Sequence, residues 1–232
     1  MAGSVTTAFP TSEKAELLEA GHCFNATVTP TGTVSSGAQT VTGMSSIAGI
    51  AVGMSVVSGS SFSALCVVES VVSTTSITVS RTAAGAITGG TLTISGDAFK
   101  IALIIPSPTG TYNASTTNYT NVTGNSDEVA NGNGYTTGGV LLTNVTATTS
   151  GTGANTNFSP NPSWTSATFS TTGALIYNTS TRVFGTSGTN TTGGGRAVGV
   201  YSFGGTQSVT SGTLTVLMPS PPTPSNAVIA IQ

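Results

Sequence analysis

Few residues in this chain could carry out acid–base or nucleophilic chemistry. There is one histidine, His22, and there are two cysteines, Cys23 and Cys66. A thiol nucleophile with an imidazole base needs the two side chains to converge. His22 and Cys23 are neighbours in a stretch that reads as helix, where successive side chains point about 100° apart. A packed histidine beside a small buried thiol is the better reading. Among the seven acidic residues, Asp127 and Glu128 stand out as an adjacent pair. They lie in Asn125-Ser126-Asp127-Glu128-Val129-Ala130-Asn131-Gly132-Asn133-Gly134, an oxygen-rich run of the kind Ca²⁺ favours. The run lacks alternating Asp ligands, and turn chemistry accounts for its Asn-Gly pairs without an ion. There is no Gly-x-Ser-x-Gly elbow, no phosphate-binding Gly-x4-Gly-Lys loop and no Cys-x2-Cys metal spacing. The expectation is a protein that is not an enzyme, with no cofactor and no catalytic, cofactor-binding or metal-binding residues.

Composition narrows the class. Charged residues make up 5% of the 232, against about 25% in an ordinary soluble protein. The five basic residues, Lys14, Arg81, Lys100, Arg182 and Arg196, are scattered. No basic patch exists to displace counterions, so no nucleic acid is expected as a partner. No polybasic or amphipathic membrane segment is visible, and the longest apolar run, 47–57, is broken by Gly and Ser. The first residues have neither a positive nor an apolar signal region, so no export signal is expected. Cys23 and Cys66 are expected as reduced, buried thiols rather than a bridge. The Asn-x-Ser/Thr triplets (Asn25, Asn113, Asn118, Asn121, Asn144, Asn178, Asn190) follow from a composition rich in Asn and Thr.

Thr and Val suit pleated sheets, and Gly, Ser and Asn suit turns, so the chain reads as all-β. The exception is a helix over 12–24, capped by Thr11 or Ser12. Its pattern turns Glu13 and Glu16 outward and Ala15, Leu18 and His22 inward. It follows an extended arm over 1–10. Residues 29–95 hold about five short strands, including a pair around Thr74-Thr75, and read as a separate small β-domain. The strongest strand is Asp97–Ile105, where Phe99, Ile101 and Leu103 alternate with Ala98, Lys100 and Ala102. Ile104-Ile105 breaks the alternation, as if both faces were covered there. Further strands are expected at 140–142, 163–170, 173–178, 196–203, 214–218 and 226–231, with polar loops at 107–133 and 179–195 and a rigid connector at Pro219–Pro224. The expected architecture is an antiparallel β-sandwich main domain with one short N-terminal helix and a small inserted β-domain: 1–28 and 96–232 for the main domain, 29–95 for the insert.

Several runs together carry a resemblance. They are Thr11–Phe24, Gly96-Asp97-Ala98-Phe99-Lys100-Ile101-Ala102-Leu103, Asn118-Tyr119-Thr120, Gly134-Tyr135-Thr136-Thr137-Gly138-Gly139, Trp164–Phe169, Ala174-Leu175-Ile176-Tyr177-Asn178 and Val200-Tyr201-Ser202-Phe203-Gly204-Gly205. In this order the chain resembles small β-rich virion structural proteins of tailed bacteriophages. Residues 29–95 resemble a β-module met in phage virion proteins. The resemblance implies a structural subunit of the particle, assembled in the bacterial host cytoplasm and located in the virion. It points first to a capsid decoration, or cement, protein that binds the outside of the head shell. The major capsid protein would be its partner, and the subunit would be a homo-oligomer, with a trimer as one arrangement. The alternative is a tail fibre or tail-associated receptor-binding adaptor, whose loops at 107–133 and 179–195 would meet host surface glycans. Lys100 reads as a solvated lysine on an open strand face, with an interface contact as the sharper reading.

Overall fold

The structure is a computed structural model, which describes residues 3–18, 21–59, 61–62, 66–150, 153–184, 190–192, 194–218 and 228–231. In chain order the elements are α1 (Thr11–Leu18), β1 (Thr31–Val34), β2 (Thr40–Val41), β3 (Ser55–Val57), β4 (Val68–Ser73), β5 (Ser76–Val79), β6 (Ile87–Thr91), β7 (Thr93–Ser95) and β8 (Phe99–Ile104). Then follow α2 (Thr120–Thr123), β9 (Val140–Leu142), β10 (Asn144–Ser150), β11 (Gly153–Phe158), β12 (Ser163–Asn178), β13 (Arg182–Phe184), β14 (Asn190–Thr192), β15 (Arg196–Thr215) and β16 (Ile229–Ile231). The fold is all-β, built of antiparallel sheets with short helices. The Pro219–Pro224 connector, Ala64-Leu65 of one expected strand, Glu19-Ala20 of the helix and the tip of the 179–195 loop lie outside the described residues.

The chain divides into two compact units. The first comprises Met1–Gly21, Ala98–Thr143 and Thr148–Gln232; the second comprises His22–Asp97 and Asn144–Ala147. The second unit begins before residue 29 for a physical reason. The outgoing and returning strands are bonded to each other: the Asp97 amide donates to the Cys23 carbonyl at 2.7 Å, and Val28 and Ile94 exchange both backbone bonds. Gly96 sits where a Cβ would overlap the Asn25 and Cys23 carbonyl oxygens, so the close approach requires glycine.

The second unit is three small sheets, β1-β6, β2-β5-β4 and β3-β7. β4 and β5 form the expected hairpin, with Ser73 opposite Ser76. The core is aliphatic and sulfur-containing: Val34, Val41, Met54, Val56, Cys66, Val68, Ile77, Leu92 and Ile94, with Phe62 as the ring at its centre.

In the first unit a four-stranded sheet runs β15-β12-β8-β9, and β11 pairs antiparallel with β16. Phe99 of β8 meets Phe158 of β11 with ring centroids 5.4 Å apart. On the other face Ala102, Ile104, Leu175, Ala197 and Val200 pack with Tyr112 and Val122 from the 107–133 loop. From Ile101 onward β8 is buried on both faces. Each such side chain contributes about 2 kcal/mol by leaving water. The runs expected as four strands, 163–170, 173–178, 196–203 and 214–218, are instead two long ones. β12 and β15 pair from Ser163 opposite Thr215 to Asn178 opposite Arg196, with bulges absorbing the breaks at Thr171-Thr172 and elsewhere.

Two expectations about the N-terminal helix are corrected. The described helix covers Thr11–Leu18, and Gly21–Phe24 is not helical. Its rotation is also different: Glu13 is buried, while Leu18 is 91% exposed and Ala15 lies in water. Glu16 forms an ion pair at 3.7 Å with Arg196, a guanidinium buried at the start of β15. Glu13 lies one turn before Glu16 on the same face, so docking that ion pair buries Glu13 and turns Leu18 out. α1 therefore packs on β15. The arm over 3–10 is extended, but it bonds within its own unit. Gly3 donates to Pro108, Thr6 to Tyr112, and Ala8 and Val200 exchange backbone bonds.

Candidate functional site

The residues best able to do chemistry are brought together by the 107–139 segment of the first unit. Asp127 and Glu128 lie on an extended stretch that runs beside β8. Ile105 donates to the Asp127 carbonyl, and Val129 donates to Leu103. Neighbours on an extended chain point to opposite sides, so the two carboxylates serve different loops.

Asp127 is fully buried. It accepts hydrogen bonds from the Thr109 amide at 2.8 Å, the Gly110 amide at 2.7 Å, the Tyr112 hydroxyl at 2.6 Å and the Thr109 hydroxyl. Burial alone would push its carboxyl up, but these donors outweigh it and hold Asp127 below the usual carboxylate range. Glu128 accepts from the Tyr119 hydroxyl, from the Tyr135 hydroxyl at 2.7 Å and from the Gly138 amide at 2.7 Å. Tyr119 stacks on Tyr177 at 4.3 Å, and the Tyr177 hydroxyl donates to the Gly138 carbonyl. Tyr135 also accepts from the Leu103 amide of β8.

Local sequence explains this placement. Asn133 and Gly134 both have positive φ, at 52° and 85°, and Gly132 and Tyr135 exchange backbone bonds around them. Asn-Gly is the preferred pair for such a two-residue hairpin turn, and it aims Tyr135 inward. At Gly139, φ is 69° and a Cβ would overlap the Ile101 carbonyl, so only glycine lets this loop lie on β8. The 113–125 loop is closed by its asparagines. Asn113 Oδ1 accepts from Ser115, Asn118 Oδ1 from Thr120, and Asn121 Oδ1 from Thr117 and Asn118. That network holds the single turn α2, which was not foreseen in a Thr/Asn run.

The chemistry available here is hydrogen bonding. All five tyrosines of the chain lie in the first unit, and all are shifted upward. Burial is the first cause in each. The carboxylate of Asp127 adds to it at Tyr112, Glu128 at Tyr119, Tyr135 and Tyr177, and Glu13 at Tyr201. Tyr177 is pushed up to about 12. The phenols stay protonated as donors, and the oxygens of Asp127 are bonded by one of them, Tyr112, together with Thr109 and the Gly110 amide.

The other candidates are spread elsewhere. His22 and Cys23 are buried in the second unit; His22 lies 5.9 Å from the Phe24 ring, and Cys23 Sγ meets Asn25 Oδ1 at 3.5 Å. Cys23 and Cys66 are free thiols, as expected, and burial pushes the Cys66 thiol up. Lys100 is half-buried, opposite Tyr177 and Leu141 in the sheet, rather than on an open strand face. The Arg196–Glu16 pair escaped sequence reasoning, since nothing local in Gly195-Arg196-Ala197 marks a buried cation. Among the described residues no helix is long and apolar enough to cross a membrane. Compared with models of protein families, with curated proteins and with solved structures, the chain matches none of them.

Proposed function

We propose that this protein is a structural subunit of a tailed-bacteriophage virion, and that its place is on the outside of the head shell as a decoration protein. The reading is carried by the ordered series of motifs that resemble such subunits, from Gly96-Asp97-Ala98-Phe99-Lys100-Ile101 to Val200-Tyr201-Ser202-Phe203. The structure supports it through the use made of the chemically able groups. Asp127 and Glu128 bind loops to a sheet, and the helix acids Glu13 and Glu16 face β15. A subunit of low charge also meets many copies of a lattice without repulsion.

Location and copy number test the reading. Purified particles would be imaged with a labelled antibody, and the copies per particle counted by quantitative mass spectrometry. The decoration role predicts label over the head and hundreds of copies, in keeping with a repeating shell. A handful of copies confined to the tail would replace it with the tail-adaptor reading. Absence from particles would overturn both.

A further inference from the structure

The outer edge of β15 changes character along its length. From Arg196 to Ser202 it is covered within its own unit: Ala197 donates to Thr117, Ala8 and Val200 exchange bonds, and Ser202 donates to the Thr7 hydroxyl. β15 is the terminal strand of its sheet, and among the described residues nothing pairs with that edge beyond Ser202. β8 pairs with β12 only over Gly173–Asn178, so the far halves of β12 and β15 continue as a two-stranded ribbon. Ribbons of two strands are marginal in water without further cover.

Proteins guard such edges with charge, proline or bends. Here no charged residue occurs after Arg196, and no proline lies between Arg196 and Pro219. Bends do occur, at Gly204 (φ 74°) and at Ser211 (φ 47°). Between them Thr206-Gln207-Ser208-Val209-Thr210 is left as a short, uncharged edge centred on Ser208, in unbroken register with β12 over Gln207–Val209. Beside it lies a groove of about 440 Å³, lined by Tyr201, Phe203, Leu214, Val216, Leu217 and Met218 among others, with Leu217 78% exposed.

We infer that this edge pairs with the same edge of a second copy, antiparallel about a two-fold axis at Ser208. The edge carries no charge to repel its own copy, and antiparallel self-pairing satisfies the exposed backbone groups of both copies at once. Two such segments exchange about five hydrogen bonds, low against the roughly ten of a typical interface. The apolar strip at Leu214–Met218 supplies the remaining area. The axis places Thr206 of one copy opposite Thr210 of the other. The inference goes beyond the virion reading: it holds for a head or a tail subunit, and purified protein tests it without particles.

Sedimentation of the full chain across a concentration series reads the outcome. The wild type is expected to reach twice the chain mass of 22.8 kDa. The double variant Thr206→Lys/Thr210→Lys sets lysine against lysine twice and is expected to stay monomeric, with unchanged Trp164 fluorescence showing that it is folded. The variant Thr206→Lys/Thr210→Glu sets lysine against glutamate and is expected to regain the dimer. Thr165→Lys, on β12 of the same ribbon, is expected to dimerise like the wild type. A wild type that remains monomeric, a Lys/Lys variant that dimerises, or a Lys/Glu variant that does not would each overturn the inference. So would amide exchange at 206–210 that is already slow in dilute monomer, because the edge would then be filled by the chain itself.

Discussion

The two units of this chain solve the same problem with different chemistry. The second unit closes small sheets over Val, Ile, Met and Leu side chains, and it contains no tyrosine or tryptophan. The first unit has an apolar sheet as well, but its long loops are fastened by Asp127 and Glu128 through tyrosine hydroxyls and backbone amides. Short hairpins bury their own backbone groups in ladders. The loop over 107–139 has few ladder partners, so buried carboxylates take that role. The difference places the five raised tyrosines and the lowered Asp127 carboxyl in the first unit, and the raised Cys66 thiol in the second. It also allows each unit to be followed separately, since Trp164 reports only on the first.

Substitutions in each unit test the contrast. Gly139→Ala is expected to have the largest effect, about 3 kcal/mol or more, because it forces an L side chain to positive φ against the Ile101 carbonyl. Denaturant unfolding followed at Trp164 would read it, and a loss under 1 kcal/mol on the order of a surface change would show that the loop does not lie on β8. Met54→Ala, at a fully buried site of the aliphatic core, is expected to cost about 3 kcal/mol. Its signature is faster amide exchange within 22–97. Exchange there that stays as slow as in the wild type would contradict the core described.

Asp127→Asn is expected to cost about 2 kcal/mol at neutral pH, since an amide cannot accept from all four donors. The sign with pH follows from the lowered carboxyl. Its contribution is present above the ordinary Asp value of about 3.9 and is lost as pH falls toward the folded value. The variant should therefore show a flatter loss of Trp164-reported stability below about pH 4. An acid limb as steep as the wild type's would assign that sensitivity elsewhere. Tyr135→Phe is expected to cost about 1–2 kcal/mol: Glu128 keeps the Tyr119 and Gly138 donors, while the buried Leu103 amide loses its acceptor. An unchanged midpoint in urea would remove Tyr135 from the network.

Much of the architecture was legible in the residues. The all-β class follows from Thr, Val and Gly usage, the β4–β5 hairpin from Thr74-Thr75, and the burial of β8 from its alternation and the Ile104-Ile105 break. Asn133-Gly134 announced its turn. What stayed hidden depends on distant partners. The helix pattern over 12–24 gave the wrong face because Arg196, far along the chain, binds Glu16. β10 and β11, rich in Thr and Asn, carry no bulky alternation to mark them. Gly204-Gly205 looked like a strand end but is a bend within one long strand. The chemistry of Asp127 and Glu128 was visible as an oxygen-rich run; that its donors would be tyrosines and backbone amides was not, because Thr109, Gly110 and Tyr112 come close only through the loop's own fold.

Every phenol of the first unit is held as a protonated donor. Absorbance at the phenolate band during an alkaline titration tests that directly. All five tyrosines are raised, so their neutral forms stabilise the fold below the ordinary value of about 10, and that stability is lost as pH rises beyond it. The expected result is no phenolate signal near pH 10 while Trp164 still reports a folded unit, followed by joint release of the five on unfolding. One or more tyrosines ionising near pH 10 in the folded protein would contradict it.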